Sequence, residues 1–497
     1  MPWHASHVTN ALPEWSNRVL LYNEPVIRLV VALLLLVTIA LGAGVYVGAG
    51  RVTGPAIEIL QPTRFIGRTA RFEASIDATD GVLIDVTAVI EQGGVTVPLF
   101  SLSEPDDAAI TQETETRIRV SRTVTRETHP ELAPGPATIV VHATRSVLFG
   151  LRERASTTRL DVEARFDPPR LAVLSSLHYV NHGGAELIVY RVTPTDSESG
   201  VRVGDRVFPG YHASAAGVAD ADASMRVALF ALIHDQELDT PMRLFARDEA
   251  GNEAEIAFDH RVFPRRFRRS RLTISDRFLE QVVPDIVARS DAFRTLPLPP
   301  DAGLLERYLA INGGLRRLNA ERIMALAADT ADARLWSEPF RQLGNSQVES
   351  GFADHRTYVY DGGEVDQQIH LGFDLAATAN VPILAANTGR VIWADFLGIY
   401  GNCVIVDHGM GLQSLYAHLS SIGVRAGDTV SKDDEIGRSG MTGLAGGPSA
   451  FRHLAARLAD HTDGVVGPAL DRGPDHPQAT RGVVTWSRPR FTRLQPV

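Results

Sequence analysis

The sequence predicts a mainly β protein with one helical segment: an N-terminal transmembrane helix, a β-sandwich-like stalk, and an antiparallel β-sheet core towards the C-terminus. Three observations carry this prediction. An uncharged, apolar run lies between Arg28 and Arg51. Short stretches of alternating apolar and polar residues, punctuated by Gly, Pro and Asp, recur over residues 52–265 and again from about Gln342. Between them, Leu304, Leu305, Tyr308, Leu309, Leu315 and Leu318 recur at helical spacing.

Taken in order, residues 1–25 read as a short tail and residues 26–49 as the transmembrane helix. Leu29–Val47 is nearly all Leu, Val, Ala and Ile, and about 20 apolar residues at 1.5 Å rise span a hydrocarbon core of about 30 Å. A signal peptide has a shorter apolar region and a small-residue cleavage site, and its core normally lies nearer the start, so a retained single-pass anchor is expected. Arginines on both sides leave the orientation open. Residues 52–265 read as one or two β-rich modules. Thr116–Val124 and Ala137–His142 alternate, and Asp248–Asn252 forms a turn between two alternating stretches, as in a hairpin. Arg265–Arg271 is rich in arginine with Phe267 as its single aromatic. That makes a poor stacking platform for bases, and the segment reads as a solvated linker. A helical segment is expected over 272–341 and the β-sheet core over 345–447.

The composition suits a globular chain, with 44% hydrophobic and 22% charged residues, and 497 residues exceed one compact core. A net charge of −10 argues against nucleic acid as a partner. Cys403 is the only cysteine, which excludes an internal disulfide and a Cys-based metal cage. Its place in the apolar run Cys403–Val406 reads as a buried strand residue.

The chemistry lies downstream. Gln368-Ile369-His370-Leu371-Gly372-Phe373-Asp374-Leu375-Ala376 sets an imidazole and a carboxylate four residues apart, a pair that suits zinc. In a flat strand, i and i+4 share a face but lie ~13 Å apart. Both side chains reach one ion only if the chain bends, which Gly372 permits. Further pieces follow: Pro382–Ala386, Gly389–Val391, Gly401–Gly409, Tyr416-Ala417-His418-Leu419-Ser420, Val424–Val430 and Ile436–Gly443. Upstream stand Ser350-Gly351-Phe352, Asp354 and Arg356.

In order and spacing, residues 345–447 resemble the core of the lysostaphin/LytM-type zinc metallopeptidases. The resemblance implies Zn2+ as cofactor, His370 and Asp374 as two of three metal ligands, and His418 as a catalytic imidazole flanking the metal. It implies hydrolysis of peptide cross-links in peptidoglycan, in which zinc polarises the scissile carbonyl and acidifies a bound water while an imidazole moves protons. That substrate places the large C-terminal part on the envelope (periplasmic) side of the inner (cytoplasmic) membrane, where envelope protein partners are also expected. His408 carries no role in the resemblance and reads as a turn-packing residue.

The pattern breaks after the Thr-Gly turn. The family completes its site with a His-x-His pair, one His being the third ligand and the other a second catalytic imidazole. By count those positions are Ser449 and Phe451, or one residue earlier, within Gly446-Gly447-Pro448-Ser449-Ala450-Phe451-Arg452; they hold no imidazole, and neither serine nor phenylalanine replaces a neutral imidazole ligand. His453 meets the requirement only in a shifted register. After residue 447 strand and helix periodicities fade, so 448–497 reads as an aberrant tail, disordered or out of frame. Reverse-translated with one choice among the degenerate codons, GGA CCA TCT GCA TTT CGA, Gly447–Arg452 read one base later gives Asp-His-Leu-His-Phe. The same offset over Thr462–Asp471 permits Pro-Met-Glu-Trp-Trp-Asp-Pro-His-Trp-Ile. The sequence therefore points to a frameshift near Gly446 in a cell-wall zinc endopeptidase. The alternative is an inactive family member that binds cell wall or regulates a cell-wall hydrolase. A biotinyl/lipoyl-type carrier ranks behind both, because Lys432, the only lysine, lacks flanking methionines.

Overall fold

The computed structural model describes residues 24–446, except 80 and 345, together with 449–456. The chain divides into two compact units, Met1–Arg165 and Phe166–Val497. It is mainly β, with helices at the N-terminus and between the second β module and the C-terminal core.

In the first unit, helix α1 (Glu24–Ala49) contains the apolar stretch Arg28–Ala49, 22 residues with a mean hydropathy of 2.6, long and apolar enough to cross a membrane. Two sheets follow. One is four-stranded, ordered Ala56–Gln61, Thr69–Asp77, Arg117–Thr125, Ala109–Gln112. The other is five-stranded, ordered Phe65–Ile66, Arg152–Ala164, Gly135–Val147, Val82–Gln92, Val95–Ser101. Alternation explains their interior: Ala137, Ile139, Val141 and Ala143 point one way from the strand Gly135–Val147 and are buried.

The second unit opens with a seven-stranded sheet that includes the hairpin expected around Asp248–Asn252. Met242–Arg247 pairs with Glu253–Ala257, and the Asp248 carboxylate accepts hydrogen bonds from the Asn252 backbone and side chain at 2.8 and 3.0 Å. The arginine-rich segment departs from its expectation as a linker. Arg269–Thr273 is a strand lying parallel to Asp354–Tyr360, which in turn pairs with Gly363–His370 in a three-stranded sheet. Backbone pairing overrides the solvated character of its side chains, which stay largely exposed.

Helices α2 (Asp276–Arg289), α3 (Leu304–Ala310) and α4 (Arg316–Ala327) come next, with the π-helical turn Ile311–Leu315 joining the last two. Leu279, Val282, Val283, Ile286, Tyr308, Ile311 and Leu315 cluster with Tyr358 of the three-stranded sheet and with Ile399 of the C-terminal core. α4 also supplies Asn319, whose Oδ1 accepts the Ile399 N–H at 3.0 Å. The adjacent Gly398 has φ +47°, and a Cβ there would meet Asn319 Oδ1 at 2.4 Å.

The C-terminal core is one nine-stranded sheet. Its main path runs Gln347–Ser350, Phe373–Ala376, Ser449–Ala456, Leu412–Ile422, Asn402–Asp407, Gly389–Phe396, Thr429–Val430. Cys403 is fully buried with Ile405, Leu415, Ala417 and Ile323, and burial raises its thiol pKa well above the ordinary value. Lys432 is engaged by Glu338 at 2.7 Å. Residues 457–497, on which most of the expected aberrant tail falls, lie outside the described residues.

Asn319→Ala leaves the buried Ile399 amide without its acceptor, a loss of about 1–3 kcal/mol. Hydrogen exchange at Ile399 is expected to speed roughly tenfold or more while the strand Asn402–Asp407 keeps its protection.

Candidate functional site

His370 is the last residue of the strand Gly363–His370, and Asp374 is the second residue of Phe373–Ala376. These strands belong to different sheets, and the chain bends at Gly372 as it crosses between them. The crossing removes the separation a flat strand would impose. His370 Nε2 and Asp374 Oδ1 stand 3.3 Å apart.

A buried polar network holds the second carboxylate oxygen. Arg356 Nη2 donates to Asp374 Oδ2 at 2.7 Å and to Ser350 Oγ at 2.7 Å. Arg356 Nε lies 3.5 Å from Asp354 Oδ2. Asp354, itself buried, accepts from Ser270 at 2.8 and 2.9 Å and from Ser350 at 3.1 Å. Strand register builds this row, since Asp354 faces His370 and Arg356 faces Gln368 across the Asp354–Tyr360/Gly363–His370 pair. Burial pushes the Asp374 carboxyl up, but His370, Arg356 and His418 together outweigh it and hold the group below the usual carboxylate range. Asp374 is therefore ionised at neutral pH.

His418 comes from the long strand Leu412–Ile422 and is buried. Its φ of +60° is unusual for a non-glycine residue and coincides with an irregularity in pairing to Asn402–Asp407. Nδ1 lies 2.7 Å from the Thr442 carbonyl oxygen. A carbonyl only accepts, so Nδ1 carries the proton and Nε2 is the lone-pair nitrogen of the neutral ring. Burial lowers the pKa of His418, and Arg316 and Arg356 add to that against the opposite pull of Thr442 and Asp374. The ring is neutral at pH 7. Thr442 is fixed in turn: Oγ1 accepts from Asn402 N and donates to Leu419 O, each at 2.9 Å. Gly401, at φ +63°, leaves no room for a Cβ, which would lie 2.4 Å from Thr442. His408 sits fully buried between Thr388 O at 2.8 Å and Ser414 Oγ at 2.7 Å, a packing role in keeping with the sequence.

The strand Ser449–Ala456 runs between the strand of Asp374 and the strand of His418. Phe451 is the register partner of Asp374 on one side and Ala417 on the other, while Ser449 faces Ala376. These are the two positions that the count from the Thr-Gly turn gives for the expected imidazoles. His453 pairs with Leu415, two residues further along the strand. Among the described residues no group of three or more His, Cys, Asp or Glu side chains is placed to hold a metal. A zinc site of the catalytic kind takes three protein groups and leaves a fourth position open. His370 and Asp374 supply two, and Arg356 already holds one Asp374 oxygen. The described donor set does not fit a catalytic zinc ion.

Sequence reasoning named Arg356 and Thr442 within their motifs without giving either a task, and passed over Arg316. A basic residue on a strand neighbouring the acid was the signal for the first. The others come from loops and helices whose approach to the site depends on tertiary packing.

Residues 368–462 match the profile of Peptidase family M23. Among curated proteins, the DD-carboxypeptidase/endopeptidase Mpg of Neisseria meningitidis serogroup B is 36% identical over 91 residues, 18% of this chain and 20% of that protein. Peptidoglycan DD-endopeptidase ShyA of Vibrio cholerae serotype O1 is 35% identical over 88 residues, again 18% and 20%. The chain thus spans about a fifth of the length of these relatives. A solved peptidase M23 from Pseudomonas aeruginosa aligns over 56% of this chain and 92% of its own, at 18% identity and a TM-score of 0.33. Residues 368–462 of this chain are a Peptidase family M23 domain.

Proposed function

We propose that this chain is a single-pass, inner-membrane protein whose M23 domain lies on the envelope side and takes the peptide cross-links of peptidoglycan as its ligand. The meeting of His370 and Asp374 across the two sheets, with His418 beside them, carries this reading, and the match to Peptidase family M23 supports it. The apolar helix Arg28–Ala49 supports the anchor.

The lineage is that of a zinc metalloendopeptidase, and the chain as written has lost that activity. Its carboxylate and imidazole remain, but the strand between them carries serine and phenylalanine where two imidazoles are required. We infer that the loss arises from a change of reading frame near Gly446. The register supports this, because the interrupted segment still runs alongside Asp374 and Ala417 as a strand. The ion pair of Arg356 with Asp374 favours a second reading, a groove that binds cell-wall peptide or an envelope partner without cutting it.

The nucleotide sequence around codon 446 tests the frame directly. Codons that cannot spell His-Leu-His in the neighbouring frame sink it. By calorimetry, this chain is expected to bind zinc roughly a hundredfold or more weakly than a chain with Ser449→His and Phe451→His, which regains the missing donor. Purified peptidoglycan is expected to stay intact with the chain as written. Chelator-sensitive release of peptides by this chain overturns the assignment of lost activity. Arg356→Gln strands two carboxylates, Asp354 and Asp374, in a buried setting and is expected to cost about 3–5 kcal/mol, read as a lower unfolding midpoint of the C-terminal core.

A further inference from the structure

The first unit carries an apolar hairpin tip that nothing in the peptidase chemistry uses. The strands Gly135–Val147 and Arg152–Ala164 are joined by Leu148-Phe149-Gly150-Leu151. Leu148, Phe149 and Gly150 all have positive φ, at 55°, 55° and 85°. Tight turns of this hand normally use Asn, Asp or Gly, yet here two large apolar residues take the strained positions. Phe149 is fully exposed, Leu151 is 70% exposed, and Val82, which pairs with Ser146 at the same end of the sheet, is 71% exposed. Ile84 follows on that strand at 45%.

A ladder of contacts fixes where this tip points. Arg152 Nη1 donates to the carbonyl of Tyr46, in the last turn of α1, at 2.7 Å, and its guanidinium stacks 4.3 Å over the Tyr46 ring. Arg154 Nε donates to Val52 O at 2.7 Å, Arg145 reaches Thr53 O at 2.7 Å, and Thr158 Oγ1 reaches Ile57 O at 3.3 Å. As the chain runs from Tyr46 to Ile57, its partners on the last strand run from Arg152 to Thr158. The order of these contacts directs Leu148–Leu151, which precede Arg152, towards the end of the unit at which α1 enters it. The aromatic ring of Tyr46 and the arginines at the base of the hairpin sit where interfacial anchors of a membrane helix belong. Glu153 alternates to the strand face opposite Arg152 and Arg154.

We propose that the Leu148–Leu151 hairpin tip, with Val82 and Ile84, dips into the lipid bilayer that α1 crosses and docks the first β unit on that membrane surface. This rests on the anchor assigned above. The occupant is the acyl and headgroup boundary of the leaflet at the C-terminal end of α1: apolar side chains enter it while Arg152 and Arg154 remain at headgroup level.

The test uses the full chain in vesicles of phosphatidylethanolamine with a minority of phosphatidylglycerol. Cys403 is fully buried, so a maleimide NBD dye reports introduced thiols. Phe149→Cys and Leu151→Cys probe the tip, Glu131→Cys the opposite end of the hairpin, and Leu35→Cys the middle of α1. Dye at 149 and 151 is expected to shift to the blue and to lose roughly half its emission to lipids carrying a doxyl group near the interface. Dye at 131 is expected to show neither effect, and dye at 35 to be quenched by deep doxyl groups. Quenching at 35 with water-like emission at both 149 and 151 overturns the docking tip and leaves the anchor standing. Water-like emission at 35 overturns the anchor and the tip together.

Discussion

Between His370 and Phe373 the chain leaves a three-stranded sheet and enters a nine-stranded one, and the site depends on that crossing. Within one flat strand, an imidazole and a carboxylate four residues apart would lie ~13 Å from each other. The bend at Gly372 brings them to 3.3 Å. Each sheet then contributes on its own account. The smaller one aligns Asp354 and Arg356 beside His370, and the larger one brings the strands of His418 and Phe451 to Asp374. Without the crossing there would be two unrelated polar residues on two surfaces.

Holding ionised groups in a buried place requires compensation, and the chain supplies it in layers. Arg356 pairs with Asp374 and stands 3.5 Å from Asp354, while Ser270 and Ser350 donate to the oxygens of Asp354. The helical segment works from the other side: Arg316 depresses the affinity of His418 for a proton. It is itself held by Asn312 of the π-helical turn, which donates to Asp366 at 2.7 Å. His418 keeps its left-handed backbone because Thr442, Asn402 and Gly401 interlock around it. Such positions, held by their surroundings at a cost in local strain, are where binding and chemistry concentrate.

Much of this was legible in the sequence, and the failures have physical reasons. The apolar helix, the alternating strands, the Asp248–Asn252 hairpin and the meeting of His370 with Asp374 each follow from a local rule about periodicity or glycine. The departure of Ser449 and Phe451 from the family pattern was likewise visible by counting, and the strand register sets those two positions beside Asp374 and Ala376. The strand Arg269–Thr273 was missed because its side chains do look solvated; its pairing depends on backbone hydrogen bonds to a partner some eighty residues away, which no local pattern reports. The parts that Arg316 and Thr442 play at the site escaped for the same reason. They act at the site through helix packing and loop closure, both products of the assembled fold.

Cys403 lies fully buried in the C-terminal core, and its thiol resists ionisation. Disulfide exchange and sulfur oxidation both begin with a thiolate that a reagent can reach. A folded chain of this kind therefore presents nothing for a thiol oxidase to join, and its core owes no stability to covalent cross-links. It can reside in an oxidising compartment without being bridged to a neighbour, and its folding there calls for no isomerase to sort cysteine pairs.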